Sequence, residues 1–138
     1  MGNIFQRHLK QEQWIMGSVF TAMGLGTMFF PDLVHEYCFD REFSGELTPA
    51  LKLVLQCFGS QAALCGWTIL STKWDASSYR NFGLAMIPYF VFDAYAAMGA
   101  ITPLGALGDG LGNVIFATCC YFGYRSRKDE EEKSPPLL

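Results

Sequence analysis

Asp93, Asp109, Asn113, Gln56 and Ser60 are polar side chains that interrupt otherwise apolar stretches of this 138-residue chain. Asp109 and Asn113 are four residues apart, as are Gln56 and Ser60. In a helix that spacing puts both members of a pair on one face. Two carboxyl groups brought together away from water cannot both ionise at low cost. A pair such as Asp93 and Asp109 would therefore share a proton, or hold a cationic or hydroxyl-bearing ligand. The plain alternative is that the same groups clasp helices together through hydrogen bonds.

Other chemistry finds less support. Asp32, His35 and Glu36 share a face if their segment is helical, which is ligand spacing for a metal. No second histidine or thiolate pattern accompanies them, so a solvated acidic loop is the expected reading and no metal is assigned. The five cysteines (Cys38, Cys57, Cys65, Cys119, Cys120) are odd in number, lack CxxC spacing and fall mostly in apolar stretches. No Ser-His-Asp or HExxH arrangement exists, and no histidine lies within an apolar stretch to bind haem. Gly105, Gly108, Gly110 and Gly112 lack the lysine and preceding strand of a phosphate loop. No catalytic residue and no cofactor are assigned, and the absence of a basic stripe argues against nucleic acid.

The elements that must position the polar groups follow from composition. Hydrophobic residues make up 51% and aromatics 15%, with the charges gathered in the termini and two short loops. That pattern predicts an all-α integral membrane protein, a bundle of four transmembrane helices. The expected spans are 14–30, 49–71, 81–101 and 104–124, between an N-terminal segment 1–13 and a disordered tail 125–138. Trp14 is an interfacial anchor, Pro49 suits a first helical turn, and Pro88 should kink the third span. Gly17 with Thr21, and Gly108 with Gly112, have the small-xxx-small spacing that lets helices approach closely. Gly2 is a candidate for acylation, although Gln6 stands where serine or threonine is usual. The closing Leu137-Leu138 has Lys133 where an acidic sorting signal would carry an acid.

Four spans place both termini on one side. That side carries Arg7, Lys10, Lys73, Arg80, Arg125, Arg127, Lys128 and Lys133, against Arg41 and Lys52 opposite. The bias puts both termini in the cytosol. At about 1.5 Å per residue, Asp93 lies ~12 Å, Asp109 ~8 Å, Asn113 ~14 Å, Gln56 ~10 Å and Ser60 ~16 Å from the opposite surface. The polar groups are thus expected at one level, in the outer half of the bilayer.

The runs GSVFTAMGLGTMFFPD and FGSQAALCGWTIL resemble the rhythm of DoxX-like small four-span membrane proteins, in which a glycine-rich first helix ends in Phe-Pro. The resemblance implies a compact left-handed four-helix bundle. Two functional expectations follow. One is an accessory or scaffold subunit that meets a membrane-protein partner or a second copy of itself through its slim faces. The other is a lipid- or small-molecule-binding protein or carrier, with its pocket at Asp93, Asp109, Asn113, Gln56 and Ser60. Membrane lipids are expected partners in both.

Overall fold

A computed structural model describes residues 10–133 of the chain. Gly2 and the Leu137-Leu138 pair lie outside the described residues. Seven helices follow one another: α1 (Gln11–Phe29), α2 (Pro31–Cys38), α3 (Arg41–Ser44), α4 (Pro49–Ser71), α5 (Ala76–Ala85), α6 (Ile87–Ala96) and α7 (Pro103–Lys133). No strand occurs among the described residues, only one antiparallel bridge between Phe39 and Ile101.

Local chemistry sets the boundaries. Thr48 caps α4 by accepting a hydrogen bond from Leu51 N at 3.2 Å, with Pro49 in the first turn. Asp75 caps α5, its Oδ1 accepting from both Ser78 N and Ser78 Oγ at 2.7 Å. Those bonds favour the charged carboxylate and hold the Asp75 acid below its ordinary range. Thr102 opens α7: its Oγ1 accepts from Gly105 N at 3.1 Å and donates to Tyr37 O.

The four long helical paths are α1, α4, α5 with α6, and α7. α4 packs chiefly on α1, α5 and α6 on α7, and α1 on α7. The core lies towards the end that carries both termini, where Met16, Ile69, Trp74, Tyr79, Phe116 and Cys120 are buried together. At the opposite end the chain bends by 100° between α1 and α2. There Thr102 N donates to Cys38 O at 2.9 Å and Asp40 N to Ala100 O at 3.2 Å, so α2 is pinned to the turn before α7.

The structure departs from the sequence reading in four places. The acidic stretch 31–48 is not a plain loop, because it carries α2 and α3 and closes one end of the bundle. The helix expected over 81–101 is broken at Met86, two residues before Pro88, whose missing N–H and bulky ring cannot continue the helix. It also ends early, at Ala96, in a turn through Gly99 (φ 146°). The stretch 125–133, expected to be disordered, is the last two turns of α7. Arg127–Glu130 (3.3 Å) and Lys128–Glu132 (3.8 Å) brace it along its own face, Lys10 pairs with Glu130, and Glu131 accepts from Ala76 N.

Among the described residues one helix, α4, is long and apolar enough to cross a membrane, or two if the bent pair α1 and α2 counts as one span. α5 and α6 have ten residues each. Large apolar side chains cover the outside: Leu64, Trp67, Val91, Phe92, Leu107 and Phe122 are all more than half exposed.

Candidate functional site

Glycine decides where the helices close and where they stay apart. Along the α1–α4 seam a methyl group at Gly24 would fall on the backbone of Gly59 and Ala63. One at Gly59 would meet Met28 and Gly24, and one at Gly66 would meet Thr21 and Gly17. Backbone therefore rests on backbone over most of two helices, with Gly17 and Thr21 inside the contact. Gly108 and Gly112 differ: a methyl group on either would meet nothing within 4 Å. Among the described residues they therefore do not pack helices.

Between α4 on one side and α5–α6 on the other, a cleft of about 360 Å³ remains, floored by α1 and α7. That volume falls in the lower range of small-molecule sites, roughly 300–1,000 Å³. Each helix contributes residues at helical spacing over two turns: Phe20, Met23 and Thr27 from α1; Phe58, Gln61, Ala62 and Cys65 from α4; Phe82, Ala85, Met86 and Tyr89 from α5 and α6; Asp109, Gly112, Asn113 and Phe116 from α7. Because the helices alternate in direction, these positions sort by depth. Thr27, Phe58, Gln61, Tyr89, Asp109 and Asn113 lie towards the end capped by α2 and α3. Phe20, Cys65, Phe82, Met86 and Phe116 lie towards the core. There Phe20 stacks on Phe116 with centroids 4.4 Å apart and meets Phe82 edge-on at 6.2 Å. The cleft carries its acid and amide groups at one pole and is apolar at the other.

The polar pole is a three-residue cluster. Asn113, 7% exposed, donates from Nδ2 to Asp93 Oδ2 at 2.7 Å. The carboxyl groups of Asp93 and Asp109 are neighbours within electrostatic range of each other. Asp93 Oδ1 is buried with no hydrogen-bond partner among the described residues. None of the residues lining the cleft is Lys, Arg or His. The pole therefore carries two acids and an amide without an intramolecular counter-charge lining the cleft.

Of the five polar residues singled out in the sequence, the structure brings Asp93, Asp109 and Asn113 together. Gln56 and Ser60 do not join them. They share the level but not the face: at 100° per residue they lie roughly 150–170° around α4 from the residues that line the cleft. Ser60 Oγ instead donates to Cys57 O at 2.8 Å. The α4 amide that does line the cleft is Gln61.

Gln13 is a second residue not singled out from sequence. It is fully buried and donates from Nε2 to the carbonyls of Ile69 and Thr72, closing the last turn of α4. Its signal was an amide immediately before the first apolar run.

The Asp32, His35 and Glu36 segment is helical, yet Asp32 and His35 are otherwise engaged. Asp32 pairs with Lys52 Nζ at 2.7 Å, which holds the Asp32 carboxyl below its ordinary range. His35 is buried with Nε2 3.1 Å from Ser44 Oγ. Among the described residues no group of three or more His, Cys, Asp or Glu is placed to hold a metal ion. No family model, no curated protein and no solved structure matches the chain.

Proposed function

We propose that the chain is a four-span membrane protein that binds a small amphiphilic molecule in the cleft between α4 and α6. The spans are α1, α4, α5 with α6, and α7, with both termini on the cytosolic side. An exterior covered by so many large apolar side chains is unusual on a soluble monomer and ordinary against lipid. The eight-to-two bias of basic residues supports the orientation. The DoxX-like rhythm of the first two spans fits the same architecture.

The observation that carries the binding reading is the sorting of the cleft by depth. A headgroup belongs beside Asp109 and Asn113, and an alkyl or ring portion against Phe20, Phe82 and Phe116. Phe58, Tyr89 and Met23 line the cleft and are themselves 58%, 55% and 48% exposed, so it opens sideways, where lipid would be. Native mass spectrometry of the full chain, extracted in mild detergent, tests this. Wild type should carry a bound amphiphile that Ala62→Trp, which fills the cleft, loses. Equal adducts on both proteins, or none on either, would sink the reading.

A second reading, an accessory subunit, draws on a slim face left unpacked. A methyl group at Gly108 would meet nothing within 4 Å, and Leu104, Leu107 and Leu111 beside it are exposed. A helix from another membrane protein would fit there. Gly108→Cys should then form an oxidative cross-link to a second copy or a partner in native membranes. A monomer under those conditions contradicts it.

A further inference from the structure

We infer that the amphiphile taken by the cleft carries a cationic headgroup, an alkyl amine being the simplest chemistry of that class. The inference rests on the cleft-binding reading above and adds the identity of the headgroup. Three observations carry it.

First, the polar pole holds two neighbouring acids, Asp109 lining the cleft and Asp93 bonded to the lining Asn113, and the residues lining the cleft include no basic group to balance them. The nearest described lysine towards that end, Lys52, is already paired with Asp32. Removing carboxylates from water without a counter-charge is costly, and charges inside a membrane pair with one another or face a ligand. Second, among the described residues the side-chain hydrogen bond that ties the pole together, Asn113 Nδ2 to Asp93 Oδ2, commits one of the amide's two N–H donors to Asp93, while Asp109 lines the cleft. Asp93 Oδ1 remains buried without a partner among the described residues. The pole lacks positive charge: amide donors of Asn113 and Gln61 are present, but no cation lines the cleft. An ammonium group brings that charge together with three donors for the carboxylate oxygens. A carboxylate or phosphate headgroup would meet like charge there, and a hydroxyl would supply one donor and no charge.

Third, the geometry fits one chain behind the headgroup. The lining residues of each helix span about seven positions, roughly 10 Å of axial length. Beyond that the aromatic floor formed by Phe20, Phe82 and Phe116 closes the cleft, while the gap between α4 and α6 lets a longer chain leave sideways. The described site therefore selects by headgroup and tolerates chain length.

The test uses the full chain in phosphatidylcholine nanodiscs and three probes of equal chain length: dodecylamine, dodecanol and dodecanoate, each at the same mole fraction in the bilayer. The thermal unfolding midpoint is read with each. Dodecylamine should raise it by several degrees more than either other probe, corresponding to roughly tenfold tighter binding. In Asp109→Asn that preference should disappear, and Asp93→Asn provides the same comparison should the first variant fail to fold. Equal shifts from all three probes in wild type would overturn the cationic headgroup and leave the cleft reading standing. A preference for dodecylamine that persists unchanged in both variants would overturn it as well. No shift from any probe, together with a copurified amphiphile that survives Ala62→Trp, would instead remove the cleft reading on which the inference rests.

Discussion

The α1–α4 seam and the α6–α7 side of the bundle pair helices of similar make-up and end in opposite states. Along the seam Gly17, Gly24, Gly59 and Gly66 bring backbone against backbone, and Gln13 closes the end by binding the carbonyls of Ile69 and Thr72. Across the cleft glycine is just as abundant, yet Gly108 and Gly112 meet nothing. The polar groups there are joined by a single side-chain hydrogen bond, Asn113 to Asp93. The difference teaches that glycine spacing alone does not close a helix pair. Backbone-on-backbone closure along the seam comes from glycines facing each other, seven apart on both helices. Where one helix has a broken partner, as α7 has in α5–α6, the same small residues leave space. The seam supplies rigidity and the cleft supplies room.

The largest effect should come from adding one methyl group to the seam. Gly24→Ala drives a carbon into the backbone of Ala63 and Gly59, which cannot move aside as a side chain tip would. A loss of about 2–3 kcal/mol is expected in reversible unfolding in detergent. Gly112→Ala, at a site with open space, should change stability by less than about 1 kcal/mol. Equal costs at the two sites would break the comparison.

Next comes the end of the seam. Gln13→Leu keeps the volume and removes both hydrogen bonds to Ile69 and Thr72, so a loss of about 1–3 kcal/mol is expected. Hydrogen exchange at the last turn of α4 should rise in the same variant.

On the open side, Asn113→Ala removes the bond to Asp93. The expected loss of stability is about 1 kcal/mol, smaller than at Gln13, while retention of the copurified amphiphile should fall severalfold. The seam variants should show the reverse balance.

The smallest effect lies at the capped end. Lys52 lowers the Asp32 carboxyl below its ordinary value of 3.8, chiefly by hydrogen bonding. A depressed acid stabilises the fold above its unfolded pKa, and that contribution fades as pH falls below about 4 and through the folded value. Wild type should therefore unfold at a slightly higher temperature than Lys52→Met at pH 6, with the gap closing by about pH 2–3. A gap that widens on acidification would contradict the pairing.

Much of this was legible in the residues. Thr48-Pro49 fixes the start of α4, and the helix runs over 49–71 as its apolar stretch does. The offsets of Asp93 and Asn113 from the turn between them bring the two to one level, and they meet. Offsets along a chain carry depth but not rotation, so Gln56 and Ser60 arrive at the right height on the wrong side of α4. Gly108/Gly112 has the familiar four-residue spacing, whereas the glycines that pack are seven apart and become visible only when two helices are compared. The helix over 125–133 had a readable signal in Arg127/Glu130 and Lys128/Glu132, spaced for pairing along one face. The clustering of charge there masked it. The break at Met86 follows from Pro88, but its consequence, a wall that stands away from α4, is a property of the assembled helices.

The central claim is that one side of the bundle is sealed and the other holds an amphiphile. A membrane-partitioned alkyl diazirine, photolysed on the reconstituted chain and mapped by peptide mass spectrometry, addresses it directly. Labelling should concentrate on the cleft residues Ala62, Met86 and Phe116, fall sharply in Ala62→Trp at the remaining two, and spare the seam at Gly24 and Ala63. Labelling spread evenly over outward residues such as Leu64, Val91 and Leu107, with no enrichment in the cleft, would contradict the account.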